Sequence, residues 1–288
     1  MTADAPRLSI VLPSRNEAAA LRTLLPALRS CQPAAEVIVV DDGSTDDTAE
    51  VCAAAGVQRV VHPYGMGNGA AIKSGARAAT GEVLCFMDAD GQHDPAEIDR
   101  MLSVLQSGFH MVVGARTREG HANPWRRAAN GFYNRFASWM TGRQVEDLTS
   151  GFRVVEASRF REFLHLLPNG FSYPTTITMA FLRSGYAVTW ERVAVRKRIG
   201  SSHLNPVRDG ARFLLIIFKI GTLFSPLKVF LPFSLLFLLG GLGLYAYTFF
   251  TQHRFTNMSG LLLSNAFLTF LMGLVSEQIT TLMYRDRR

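Results

Sequence analysis

The chain has 288 residues, enough for one large domain with an appendage, and its 48% apolar content is unevenly spread, concentrating after about residue 213. The net charge of +7 raises nucleic acid as a partner, but no aromatic–basic ladder or basic recognition helix accompanies it. Arg and Lys gather near the apolar end, so anionic lipid and phosphate-bearing substrates fit that charge better. The three cysteines, Cys31, Cys52 and Cys85, lack metal-ligand spacing and read as buried thiols of a reducing compartment. Met1 to Arg7 is short and polar, unlike a signal peptide.

In chain order, Leu8–Leu12 is a buried strand that Pro13 should stop. Ala18–Leu28 has helical periodicity through Leu21, Leu24, Leu25 and Leu28. Val37–Val40 is a second strand ending in Asp41-Asp42-Gly43-Ser44, and a helix from Thr45 to Ala55 follows, with Ser44 or Thr45 as its cap. Val57–Val61 is a strand, Gly67–Ala79 a helix of small residues, Glu82–Met87 a strand, Pro95–Ser107 a helix and Met111–Val113 a strand. Alternating short apolar strands and helices define an α/β domain with a mostly parallel sheet. In such sheets ligands bind beyond the carboxyl ends of the strands. The segments Pro13–Glu17, Asp41-Asp42 and Asp88-Ala89-Asp90 all fall at those ends. The helix Trp125–Met140 carries Phe132, Tyr133, Phe136 and Trp139, and reads equally as a core-packed or a membrane-facing helix.

Beyond the domain, Arg208–Phe224 combines basic residues with a broad apolar face and reads as a helix lying in the membrane interface, ended by Pro226. Phe230–Phe250 has no charge and Gly260–Met283 has only Glu277, which reads as facing the neighbouring helix or reaching toward Arg285. Each is long enough to cross about 30 Å of hydrocarbon. The expected organisation is a catalytic domain over 1–204, an interface region over 205–228 and a transmembrane hairpin with basic tail over 229–288. Arg and Lys flanking the hairpin place the domain and the C-terminus in the cytoplasm by the positive-inside rule. Gly240, Gly241 and Gly243 permit close helix packing within or between subunits, so a homo-oligomer stays open.

The chemistry concentrates at Asp88-Ala89-Asp90-Gly91-Gln92-His93. One reading is a solvated Asp turn before a helix capped by Asp94. The other is an all-oxygen site in which Asp88, Asp90 and Gln92 hold Mg²⁺ or Mn²⁺ against a diphosphate. Asp41 and Asp42 suit a ribose or a base N–H. Gly65-Met66-Gly67-Asn68-Gly69 opens a helix whose amides could meet an anion, or serves close packing. It has neither the dinucleotide-binding nor the P-loop spacing. Lys73, one turn further on, reads as a structural or solvated charge more readily than as a phosphate ligand.

Five motifs in order resemble the family 2 glycosyltransferases, within them the dolichol-phosphate mannosyltransferase-like group. They are Ile10–Glu17, Val39–Asp46, Met87–His93, Val113–Arg116 and Asp147–Arg153. The resemblance implies a GT-A fold and an inverting transfer from a UDP- or GDP-linked sugar to a polyprenyl phosphate at the membrane. It further implies that Pro13, Asn16, Glu17, Asp41, Asp42, Asp88 and Ala89 line the nucleotide-sugar pocket. Asp88, Asp90 and Gln92 would carry the metal. Arg116 and one of Arg126/Arg127 would contact the acceptor phosphate. Arg198, or Arg196, corresponds to an arginine of a loop closing over the donor, although the R-x-x-G-x-S-K spacing is not kept and His203 stands where lysine is common. Asp147 is expected to orient the sugar or an arginine. Two other functions remain on the sequence alone: a membrane glycosyltransferase with a hydroxyl acceptor, for which the processive Q-x-x-R-W motif is missing, and a non-catalytic nucleotide-sugar binder. A nucleotidyltransferase would need a Gly-rich loop near the N-terminus that this chain lacks.

Overall fold

The structure is a computed structural model describing residues 7–116, 124–170, 172–194, 218–219 and 221–283, the side chains of 124–130 excepted. It divides into two compact units, with the break between residues 203 and 204.

The first unit alternates strands and helices: β1 (Leu8–Ser14), α1 (Ala18–Cys31), β2 (Glu36–Asp41), α2 (Thr48–Ala55), β3 (Gln58–Val61), α3 (Asn68–Ala78), β4 (Val83–Phe86), α4 (Glu97–Gln106) and β5 (Met111–Arg116). After them come α5 (Pro124–Thr141), β6 (Arg153–Glu156), α6 (Ala157–Glu162), α7 (Tyr173–Arg183) and β7 (Val188–Val193). The seven strands form one sheet in the order β3-β2-β1-β4-β6-β5-β7. Among the described strands only β6 runs antiparallel, between β4 and β5. Ile10, Leu12, Val37, Val39, Cys85 and Val154 point to the face covered by α1, α2 and α4. On the opposite face α3 lies so close that a Cβ at Gly75 would strike Val11 and Val40, and Phe86 meets Phe160 of α6 with ring centroids 4.5 Å apart. Full burial of each such side chain contributes about 1.5–3 kcal/mol.

Pro13 does not stop β1. Pairing with β4 ends at Val11, whereas pairing with β2 continues to Ser14. Beyond Val11 there is no β4 neighbour awaiting an N–H, so proline is tolerated there. Helix α2 starts at Thr48, later than expected, because Ser44 and Thr45 are drawn into loop contacts: Ser44 Oγ accepts from the Asn16 N–H at 3.0 Å, and the Thr45 N–H donates to Asn16 Oδ1 at 2.8 Å. Cys52 and Cys85 are buried, but Cys31, at the end of α1, is exposed and corrects that expectation.

The second unit holds α8 (Pro226–Gln252) and α9 (Asn257–Met283), both long and apolar enough to cross a membrane. Pro226 is the first residue of α8 rather than the end of the preceding segment, a position where its missing N–H costs nothing. Of the expected interface helix only 218–219 and 221–224 are described, and they are helical. The side chains buried between α8 and α9 are small: Ser234, Gly241 and Thr248 face Ser259, Ala266, Gly273 and Thr280. Each set repeats every seventh residue, which keeps one seam in register along an antiparallel pair. Ser234 Oγ donates across it to the Ala266 carbonyl at 2.8 Å. Glu277 faces its neighbour, its Oε2 accepting the Leu227 N–H at 3.2 Å. Arg285 lies outside the described residues.

Candidate active site

The carboxyl ends of β1, β2 and β4 bring three loops together. Asn16 adopts φ 57°, a left-handed conformation that asparagine tolerates, and its side chain fastens the β1–α1 loop to Thr45. Asp46 joins the same loops, accepting the Ala18 N–H at 3.0 Å and the Thr48 hydroxyl at 2.6 Å. Pro13 and Glu17 are half-buried beside them, and Ala89 is buried at the end of β4.

Asp41 and Asp42 are buried and already engaged by protein groups. Asp41 accepts the Ser44 N–H at 2.9 Å and the Arg59 guanidinium at 2.6 Å. Burial works to raise its pKa, but the Ser44 and Arg59 bonds prevail and hold it below the usual carboxylate range. Asp42 accepts from the Met66 and Gly67 amides at 2.8 Å and meets His62 Nδ1 at 2.7 Å. Its pKa is lowered as well, the His62, Gly67 and Met66 bonds outweighing burial. His62 Nε2 in turn meets Ser74 Oγ at 2.8 Å. This chain has the connectivity of a hydrolytic triad, but Ser74 sits inside α3 and the nearby amides are taken, so it serves as a tie.

The glycine-rich opening of α3 is not an anion site. The Gly69 and Ala70 amides donate to the Gly170 and Asn169 carbonyls at 3.3 and 2.9 Å. A Cβ at Gly69 would collide with the Pro168 carbonyl, so the glycine permits close approach of the 168–170 loop. Lys73 is structural, its Nζ donating to the Leu167 carbonyl at 3.1 Å and to Asn169 Oδ1.

After β4, Asp90 is buried, Asp88 is half-buried, and the Gln92 amide donates to Asp90 Oδ1 at 3.1 Å. Facing Asp88 is Gly151, where an added Cβ would lie 3.1 and 3.2 Å from the two carboxylate oxygens. Glycine at 151 therefore lets the backbone approach Asp88 closely, where a side chain would crowd the carboxylate. Hard oxygen donors of this kind suit Mg²⁺ or Mn²⁺. Among the described residues no three His, Cys, Asp or Glu side chains converge on one point, so a cation there would complete its shell with Gln92, water and substrate oxygens. His93 is buried, with its ring centroid 4.8 Å from that of Phe152, and burial pushes its pKa down to about 4 against the pull of Asp90. It is neutral at physiological pH.

Arg116, at the end of β5, makes a two-pronged ion pair with Asp147: Nε to Oδ2 at 2.8 Å and Nη2 to Oδ1 at 3.1 Å. Burial opposes the Arg116 charge, but Asp147 and the nearby Asp88 raise its pKa overall. Asp147 also accepts the Thr149 and Ser150 amides at 3.0 and 3.1 Å, and burial works to raise its pKa but Arg116, with the Thr149 amide, prevails and lowers it. Trp190 of β7 fixes the same residue from behind, donating to its carbonyl at 3.0 Å. Arg126 and Arg127 fall in the first turn of α5, with side chains outside the described part, and Arg196, Arg198 and His203 lie outside the described residues. The sequence assigned no role to Arg59, His62 or Tyr173, each of which acts through a contact distant in sequence and has no local signature.

A mostly parallel sheet with an acidic pair just beyond β4 has the GT-A fold of sugar transferases. The chain belongs to glycosyl transferase family 2, whose profile matches residues 9–165; that of the GtrB C-terminal hairpin matches residues 225–282. It is similar to glycosyltransferase AglJ of Haloferax volcanii, at 27% identity over 95% of this chain and 93% of the relative. It is 30% identical to the dolichyl-phosphate hexose transferase of the same organism over 74% of this chain and 93% of the relative. It is also 28% identical to the polyprenol monophosphomannose synthase of Mycolicibacterium smegmatis, over 68% of this chain and 82% of the relative. Among solved structures, the fold is shared with glucosyl-3-phosphoglycerate synthase of Mycobacterium tuberculosis in complex with Mn²⁺, UDP-glucose and phosphoglyceric acid. That match has a TM-score of 0.61 and 21% identity, over 75% of this chain and 79% of the other.

Proposed function

We propose that this chain transfers a sugar, with inversion, from a UDP- or GDP-linked donor to a polyprenyl phosphate at the cytoplasmic membrane face. The relatives named for dolichyl-phosphate hexose transfer and polyprenol phosphomannose synthesis support the acceptor class. The observation that carries the reading is the state of Asp147. A hydroxyl acceptor needs a general base, yet both Asp147 oxygens are engaged by Arg116 and backbone amides, and its pKa is lowered. A phosphate monoester needs no base, because its second ionisation lies near pH 6 and its oxygen is largely deprotonated at neutral pH. What it needs is a fixed cation, and Arg116 is one. The phosphate oxygen attacks the anomeric carbon while the bond from that carbon to the diphosphate oxygen breaks, and the electron pair leaves with the nucleotide.

Asp88, Asp90 and Gln92 would hold Mg²⁺ or Mn²⁺. When bound, the metal neutralises the donor diphosphate and stabilises the leaving nucleotide as a Lewis acid. Pro13, Asn16, Glu17 and Ala89 line the donor side, while Asp41 and Asp42 shape the loops that form it. Arg126 or Arg127, and Arg198 or Arg196, complete the phosphate contacts in this reading.

The test is transfer from a panel of UDP- and GDP-sugars to undecaprenyl phosphate in detergent, with and without Mg²⁺ or Mn²⁺, following the lipid product by mass. A metal-dependent lipid-phosphate sugar that disappears in Asp90→Ala is expected. Nucleotide binding with no lipid product from any donor would overturn the acceptor.

A further inference from the structure

Arg153, the first residue of β6, is fully buried, yet among the described residues none of its hydrogen bonds reaches a carboxylate. Nη1 donates to the Pro174 carbonyl at 3.2 Å and to Thr178 Oγ1 at 3.3 Å, Nη2 donates to the Ser150 carbonyl, and Nε has no partner. Burying a guanidinium without a bonded anion is costly, so its placement calls for a reason. The guanidinium carbon lies 5.5 Å from the ring centroid of Tyr173, itself buried at the start of α7. The Tyr173 hydroxyl donates to the Gly151 carbonyl at 3.2 Å. The two carbonyls preceding Phe152 are thus held by one cation–aromatic pair, Arg153 of β6 and Tyr173 of α7. The backbone they hold is the one that abuts Asp88, where a Cβ at Gly151 would come 3.1 Å from Oδ2.

We propose that Arg153 and Tyr173 are positioning residues that fix the Ser150–Gly151 backbone against Asp88 and so set this carboxylate for a divalent cation. The inference rests on the metal reading above and is independent of the acceptor. Arg153 uses its fork, tying Ser150 on one side and α7 on the other, which an ammonium cannot reproduce. Tyr173 uses its hydroxyl, with the ring serving as the cover of Arg153. Ligand orientation by outer residues governs metal affinity, so their loss should be read in metal binding before turnover.

The experiment titrates the purified full chain in detergent with Mn²⁺, counting free Mn²⁺ by electron paramagnetic resonance, without nucleotide and then with UDP or GDP. No acceptor is present, so failure of the polyprenyl-phosphate reading leaves the result intact. Tyr173→Phe keeps the ring and removes only the bond to Gly151; its Mn²⁺ dissociation constant should rise about tenfold. Arg153→Lys keeps the charge and should weaken binding at least as much. Leu28→Ala, in the core under α1, serves as the stability control: it should lower Tm at least as much as Tyr173→Phe while binding Mn²⁺ like the parent. A Tyr173→Phe chain with parental Mn²⁺ affinity, or a control weakened equally, overturns the proposal. A parent that binds no Mn²⁺ under any of these conditions overturns the metal reading and this inference with it.

Discussion

At the residue scale, Arg116 and Asp147 account for each other's charge. Arg116 is pinned by two bonds to Asp147, and Asp147 is pinned by Arg116 and two amides. Arg116→Lys retains a cation but loses the fork. Its kcat/KM for the lipid phosphate should fall about ten- to hundredfold, the equivalent of one or two charge-assisted bonds, while the donor KM stays within about twofold. A donor KM that rises in parallel would place Arg116 on the donor instead. Asp147 also makes a pH prediction. Its folded pKa lies below the ordinary value, so its stabilisation is fully present above about pH 4 and is lost as pH falls through the folded pKa. Tm measured from pH 7 down to pH 3 should show wild type and Asp147→Asn separated at neutral pH and converging below about pH 4. A constant separation would show that the carboxylate charge contributes nothing.

At the element scale, the strands β1, β2 and β4 and their loops were legible because short Val- and Ile-rich runs end in polar residues, and the topology then forces those ends together. Other elements were not. Strand β6 is four residues long, antiparallel and closed by Glu156, too short to show alternation. Helix α7 buries Tyr173 and Thr175 through Phe181 without a polar face, so no helical period appears. Close packing was one of two readings of Gly67 and Gly69, but its partner was hidden, because the loop they receive lies about a hundred residues further along the chain. That role is testable. Gly69→Ala forces a methyl into the Pro168 carbonyl and should cost about 1–3 kcal/mol. Gly131→Ala, inside α5 with open space at its Cβ, should instead stabilise by about 0.4–1 kcal/mol. Thermal melting of the two variants should move Tm in opposite directions, and shifts of the same sign would contradict the assignment of both glycines.

At the scale of the whole molecule, the seven-residue spacing of the seam ties α8 and α9 into one antiparallel hairpin, with Gly241 against Leu263 and Gly273 against Phe230. Both ends of such a hairpin emerge on the same side of a bilayer. Arg208, Arg212 and Lys219 precede it, Lys228 stands in the first turn of α8, and Arg285, Arg287 and Arg288 follow it, whereas Arg254 is the one Arg or Lys in the connection between the helices. By the positive-inside rule, that asymmetry predicts a cytoplasmic location for the N-terminal unit. The chain carries its own probe of this arrangement. Cys31 is exposed, while Cys52 and Cys85 are buried, burial pushing the Cys85 thiol up to about 12. A membrane-impermeant maleimide should therefore label native protein at one position. Labelling is expected in inside-out vesicles and not in intact spheroplasts, and it should vanish from both in Cys31→Ser. Labelling of spheroplasts would put the sheet, and with it the acidic site, on the outer face, where a cytoplasmic donor could not reach it.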